Sequence, residues 1–357
     1  MVVSILSLSD ATDLPVDGCF PPAADPADVA VSVLHGDGQQ TTVSVGVVSD
    51  SITGSGSLHL AVPKRMADVF AVTHTAGADP ITTAAVYRGP TLNVTASTPL
   101  SIDLAQAVAL EDHPLRVVDN LPAGHSETFA EVQSKYYTAF SYGQRSLFQQ
   151  TLASPVGTSL STVYKTLAAA TRQSGDMLYA RARTRGTTPS GVGYDRVVDV
   201  QTATAISLTM TLPDVFTADI PTVDNAAIPQ ATARLPMRAP TLGHGLYNLD
   251  LVTNNGSTKR TVDIVIRPGW AQGAATVTVT TPDLSHLSGW TADMALLPDT
   301  NVDWTILVDD RNIPFGDPVT DGKRILETFL FATIERQHRS SPSIARPAIP
   351  ARDRFAR

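Results

Sequence analysis

The side chains of this 357-residue chain that could do chemistry are a run of carboxylates, three tryptophans and a short arginine series. Asp309, Asp310, Asp317 and Asp321 lie close together, with Gly316 and Gly322 between and beside them. Hard oxygen ligands on turns suit calcium, so these four are a candidate calcium site. Their spacing is not that of an EF-hand loop, and acidic turn residues also cap strands and face water. No cofactor is expected, with calcium as the alternative. Trp270, Trp290 and Trp304 offer flat aromatic faces that would stack on sugar rings if exposed. Buried, each would be a core plug with its indole N–H bonded to a carbonyl. Arg181, Arg183 and Arg185 alternate, which places all three on one face of a strand. That row is either an anion or phosphate site or a solvated sheet face.

No catalytic constellation accompanies them. The eight histidines include no pair spaced i, i+2 or i, i+4, and with Cys19 as the one cysteine zinc signatures are absent. Gly191-Val192-Gly193 lacks the third glycine of a dinucleotide loop. Gly54-Ser55-Gly56 is not a nucleophile elbow, which needs Gly-x-Ser-x-Gly at a strand-to-helix turn. A net charge of −8 and a pI near 5.4 argue against nucleic acid, whose binders carry a basic face to displace phosphate counterions. A lone cysteine forms no intrachain disulfide, which leaves the cytosol and an envelope without disulfides both open. Gly18-Cys19 is like a lipoprotein cleavage site but lacks the apolar run and basic start of such a signal. No apolar segment is long enough to form a membrane-spanning helix.

The elements that must position these residues are strands. Ile206, Leu208, Met210 and Leu212 recur every second residue with Ser207, Thr209 and Thr211 between them, which points one row inward and the other to water. Charged residues make up 17% of the chain, below the roughly 25% of ordinary soluble domains. Threonine, serine and glutamine replace them on the surface, as suits a pleated sheet. A repeat organises the strands: Phe70 to Thr75 matches Tyr179 to Thr184, Tyr87 matches Tyr194, and Val94 to Leu104 matches Val200 to Met210. Two similar halves at a domain-sized offset imply a duplicated all-β unit.

The expected architecture is two or three tandem β-sandwiches, immunoglobulin-like or transthyretin-like: residues 1–110, a divergent repeat at 111–213, a β-rich domain at 214–336, and a basic tail at 337–357. Met1 to Leu8 reads as a first strand. Val163 to Arg172 is the best candidate for a short helical turn, with strand as the alternative. Val132 to Tyr142 reads as one strand broken by a bulge or by Gly143. Leu246 to Thr253 and Thr258 to Arg267 flank Asn254-Asn255-Gly256-Ser257, the strongest short-range hairpin signal because Asn-Gly accepts positive φ at both positions. Ile325 to Ile334, apolar on both faces, reads as a buried strand with helix as the alternative.

Phe70 to Thr75, Gly77, Tyr87, Val94 and Leu100 to Leu104 together resemble the close of the carboxypeptidase regulatory-like domain, a transthyretin-like β-sandwich of bacterial surface proteins. Pro282 to Ser285, Gly289-Trp290 and Val302 to Thr305 look like the C-terminal part of secreted bacterial β-rich lipoproteins. Such modules are generally non-catalytic. The resemblance implies a structural or binding protein of the bacterial cell envelope or extracellular space, not an enzyme, with other envelope or assembly proteins or glycans as partners. Two other classes remain open. One is a virion or other assembly component, which would also be threonine-rich and all-β. The other is a glycan-active hydrolase whose two carboxylates come together from distant loops.

Overall fold

Two-residue alternation becomes strand wherever it occurs. In Pro26–Leu34, Ala27, Val29, Val31 and Val33 are buried while Pro26, Asp28, Ser32 and Leu34 face outward, the pleat separating the two rows. The computed structural model describes residues 2–8, 26–34, 40–46, 48–74, 83–138, 145–204, 207–224, 226–238, 242, 244–291, 294–298, 300–311 and 322–334, with 2–8 and 322–334 given by backbone pairing. Cys19, Asp317, Asp321, Gly143 and the tail at 337–357 lie outside them.

The first strands are β1 (Val2–Leu8), β2 (Pro26–Leu34), β3 (Gln40–Val45), β4 (Val48–Thr53), β5 (Gly56–Pro63), β6 (Met66–His74), β7 (Thr83–Asn93) and β8 (Thr98–Asp103). They are followed by β9 (Glu111–Val118), β10 (Ser126–Tyr137), β11 (Arg145–Thr151), β12 (Ser159–Thr166), β13 (Met177–Thr187), β14 (Gly193–Thr202) and β15 (Leu208–Thr211). Last come β16 (Thr222–Val223), β17 (Ala231–Pro236), β18 (His244–Asn254), β19 (Lys259–Ile266), β20 (Thr276–Thr280), β21 (Val302–Arg311) and β22 (Gly322–Ile334). Three short 3₁₀ turns are the helical elements among the described residues.

One sandwich plan occurs three times. The first unit stacks β5-β2-β8 on β4-β3-β6-β7, and the second stacks β12-β9-β15 on β11-β10-β13-β14, strand for strand in the same order. The repeat endings take the same place: β8 runs parallel to β2 and β15 parallel to β9. The inward row holds as expected, with Leu208, Met210 and Leu212 all buried. The third unit repeats the plan as β20-β17-β16 and β19-β18-β21-β22. Its outer strand β16 precedes the unit instead of following it and pairs antiparallel with β17. A strand filling a sheet edge can come from either side of the chain, and among the described residues the third copy has no ending that matches the other two.

Each unit has its own core: Val29, Val31, Val43 and Val69 in the first, Leu115, Val132, Ala182 and Met210 in the second, Leu249, Ile264, Trp304 and Ile306 in the third.

Three expectations are revised. β1 belongs by pairing to the third unit, along β19, not to the first sandwich. The second and third units share one nine-stranded sheet, because β22 pairs with both β14 and β21. The hairpin forms between β18 and β19, but not through a two-residue Asn-Gly turn. Gly256 alone of its loop has positive φ, at 88°, and Asn255 instead folds its side chain so that Oδ1 accepts from the Ser257 and Thr258 amides at 3.1 and 2.8 Å. The amide side chain substitutes for a backbone turn acceptor. Strand β12 runs to Thr166, and the helical expectation survives as a 3₁₀ turn at Ala169–Thr171. A bulge at Ser134/Lys135 interrupts the β10–β11 pairing.

Candidate functional site

The strongest chemistry in the molecule is at two arginines that sequence inspection passed over, Arg88 on β7 and Arg196 on β14. Both side chains are about 1% exposed. A charge so placed survives only with compensating charges and hydrogen bonds.

Arg88 joins the first unit to the second. Its Nη2 donates to Asp68 Oδ1 at 3.0 Å and to Asp176 Oδ1 at 3.1 Å, and Nε donates to Asp176 Oδ2 at 3.2 Å. Nη1 donates to the Gly89 carbonyl at 2.9 Å. Both carboxylates have further donors: Thr91 Oγ1 on Asp68 at 2.7 Å, and the Gln173 amide at 2.8 Å and the Tyr136 hydroxyl on Asp176. Burial works against the Arg88 charge, but the hydrogen bond and charge of Asp176, then those of Asp68, outweigh it and raise its pKa. Burial, then the bond to Asp176, raises the Tyr136 pKa far above that of free phenol. Around this polar knot an apolar seal closes, in which Phe70, Val72 and Val86 of the first unit meet Tyr136, Leu147, Leu167 and Leu178 of the second. The Phe70 and Tyr136 rings stack at 5.4 Å.

Arg196 lies at the far end of the second unit. Nη1 and Nη2 clasp Asp119 at 2.7 and 3.1 Å, and Nη2 also donates to Glu127 Oε2 at 3.2 Å. Nη1 reaches the Pro213 carbonyl at 3.2 Å, on the connection to the third unit. Burial pushes the Glu127 carboxyl up to about 7, against the opposing Val156 amide, and a shared hydrogen bond with Asp119 adds to the rise. A proton on Glu127 reduces by one the negative charge facing the guanidinium. Next to the network, Val192 and Tyr194 enter the third unit's core, with Leu121 packed against it. Gly186 permits this crowding, since a Cβ there would stand 1.8 Å from the Ser126 carbonyl oxygen.

Between the two ends runs the row Arg181, Arg183 and Arg185. The row lies on one face of β13, as the alternation required, but its charges are taken up by neighbours. Arg181 forks onto Asp199 at 2.8 and 3.0 Å, while Arg183 and Arg185 both bind Asp195. Glu131 lies 3.7 Å from Arg183. An anion would have to displace these carboxylates, so the geometry is that of a cross-strand ion ladder.

Among the described residues, those singled out by type are dispersed. Asp309 and Asp310 are consecutive on β21, so the pleat sends them to opposite faces: Asp309 is buried, and Asp310 accepts from the Leu242 amide at 3.0 Å. Among the described residues no group of three or more His, Cys, Asp or Glu side chains is placed to hold a metal. Trp304 is buried in the third core, which removes it from any sugar platform. Its Nε1 has no hydrogen-bond partner among the described residues, contrary to the carbonyl expected for a core indole. Trp290 lines a small apolar recess with Ile228, Pro229 and Met294, and Trp270 is exposed on a 3₁₀ turn. No described helix is long and apolar enough to cross a membrane.

No protein-family model matches the chain, and no curated protein matches it. Among solved structures, the FN1–FN3 domains of chicken CNTN1 are similar at 9% identity over 80% of this chain and 90% of that one, with a TM-score of 0.15. At that score the assignment of the fold rests on the strand pairings themselves.

Proposed function

We propose that this chain is a non-catalytic structural or binding protein of the bacterial cell envelope or extracellular space, built from sandwich modules of the carboxypeptidase regulatory-like kind. The observation that carries the reading is the use of its strongest charges. Arg88 with Asp68 and Asp176, and Arg196 with Asp119 and Glu127, are sealed at the ends of the second unit, the one fixing the first unit to the second and the other bracing the root of the joint to the third through the Pro213 carbonyl. Asp119 and Glu127 share a hydrogen bond, closer than the roughly 5–9 Å separation a glycan hydrolase needs, and their side chains are 0% exposed. Exposed surface, sheet edges and loop tips then do the binding, with envelope proteins, assembly partners or glycans as occupants.

Fractionation of the native source tests the location, and the reading expects the protein in the envelope or the medium. Recovery wholly in the cytosol overturns it. Glycan hydrolysis lost on substitution of a single exposed carboxylate would overturn the non-catalytic part.

A further inference from the structure

The third unit leaves the outer side of β20 open. The strand lies at the end of its three-stranded layer and pairs there with β17. Two flanking bonds fix which way its backbone groups point. The Thr281 amide donates to the Ala231 carbonyl at 2.9 Å, and the Met237 amide to the Ala275 carbonyl at 2.9 Å. Bonded pairs recur every second residue in an antiparallel ladder, so Val277 and Val279 bond to β17 opposite Leu235 and Ala233. Thr276, Thr278 and Thr280 therefore turn their N–H and C=O groups away from β17. The side chains agree, since the Thr232 and Thr280 hydroxyls meet at 3.0 Å, as they can across the closer, non-hydrogen-bonded kind of pair. Among the described residues no backbone partner meets these three threonines on the outer side.

The strand in the same place in the other two units is guarded. β5 lies against β4, carries His59 and ends on Pro63. β12 lies against β10 and β11 and carries Lys165, and Thr162 on it donates to Gln150 at 2.9 Å. Among the described residues β20 has no comparable neighbour besides β17. Edges left open are commonly blunted by a charge, a proline or a bulge. Thr-Val-Thr-Val-Thr has neither charge nor proline, and its pairing with β17 runs without a register shift.

The strand also reads the same in both directions. Laid antiparallel to itself about Thr278, it sets Thr278 opposite Thr278, Thr276 opposite Thr280, and Val277 opposite Val279. Every residue whose backbone points outward then meets another whose backbone points outward, giving about six exchanged hydrogen bonds. Residues directly opposite lie on one face of a sheet, so the exposed threonines of both copies stay in water while Val277 and Val279 stay on the core side. β-branched residues on both sides favour such a pairing.

We infer that β20 is a docking edge for a second copy of this chain, the two strands pairing antiparallel about Thr278. The partner supplies the backbone hydrogen bonds that the edge leaves unmade. Because each copy uses the same edge, the contact is isologous and closes at two molecules instead of running on as a fibre. A strand of five residues is a small contact, so the association is reversible and depends on concentration. The inference rests on the reading that sheet edges do the binding, and names one edge and its partner. Its failure would leave the envelope location and the absence of catalysis to their own tests.

Oxidative cross-linking of the full chain, with Cys19→Ser as background, tests it. At the axis the two Thr278 Cα atoms would be about 5.5 Å apart, within disulfide reach, so Thr278→Cys is expected to give a linked dimer. Thr280→Cys, exposed on the same face, would stand more than about 13 Å from its own copy and should give at least about tenfold less. It should link instead to Thr276→Cys when those two variants are mixed. Equal yields from Thr278→Cys and Thr280→Cys, or no linked dimer from Thr278→Cys, overturn the inference. Sedimentation of the unsubstituted protein reads the contact without cysteine, and the mass should rise with concentration. Thr278→Lys sets like charges opposite each other and should weaken association at least about tenfold, while its exposed position leaves the melting temperature of the single chain nearly unchanged. A monomer at every concentration, or a dimer that Thr278→Lys leaves intact, overturns the inference as well.

Discussion

The two ends of the second sandwich are built on the same device and held by different means. At the first end, Arg88 reaches across from one unit to Asp176 of the next. Among the described residues no sheet is continuous there, and the interface is a polar knot inside a ring of apolar side chains. At the other end a nine-stranded sheet runs from the second unit into the third, and Val192 and Tyr194 share the third unit's core. Arg196 crosses no boundary except through the Pro213 carbonyl. It tightens the root of a joint that backbone pairing already makes. The comparison teaches that a buried arginine can be the joint itself or the brace of a joint, and that substitution distinguishes the two.

The largest effect is expected from Arg196→Ala. Asp119 and Glu127 would be left facing each other in a site closed to water, and losing one partner of a buried ion cluster costs about 3–5 kcal/mol. Urea unfolding followed by tryptophan emission checks this, since Trp304 lies in the adjoining core. The loss should appear as destabilisation of the second and third units together. Arg88→Ala comes next, at about 3 kcal/mol. It falls at the low end because Thr91, Gln173 and Tyr136 still donate to the two carboxylates. Its signature is uncoupling: the first sandwich should unfold in a separate transition and be released by limited proteolysis near residues 104–110, with the rest intact. A larger loss at Arg88 than at Arg196, or a separate transition in the Arg196 variant, would reverse the roles of joint and brace.

Much of the sandwich plan was legible because alternation is a local property. Ala27 to Val33 and Leu208 to Leu212 show their inward rows without any knowledge of partners. The first two copies were visible as well, through the aromatic-led strands that became β6 and β13. What the sequence concealed was pairing at long range. Nothing in Val2 to Leu8 names β19 as its neighbour, and the third copy is disguised by an outer strand that comes first instead of last. The buried arginines were hidden for a related reason: nothing local marks Arg88 or Arg196 as buried, and their acids lie at positions 68, 176, 119 and 127. One signal was available, since Asp119 and Asp176 each adjoin a Gly- or Pro-marked turn next to an apolar strand. The arginines that did stand out, Arg181 to Arg185, were conspicuous because they alternate, and alternation placed them on a partly exposed ladder.

The smallest expected effect sharpens the comparison through pH. Glu127 has its carboxyl pushed up to about 7 from an ordinary 4.5 by burial and by the bond with Asp119. A carboxyl raised on folding binds its proton more tightly in the folded state, so its stabilisation is fully present below about pH 4.5 and is lost as pH rises through about 7. Glu127→Gln keeps the shape and removes the proton equilibrium. Between about pH 5 and pH 7 the stability of the wild type should therefore fall relative to Glu127→Gln, by about 2 kcal/mol at most. Unfolding titrations of both proteins at several pH values read the difference directly. The loss should appear in the transition of the second and third units, where Glu127 lies. A difference that grows as pH falls would mean that Glu127 is ionised throughout and that Arg196 balances two charges instead of one.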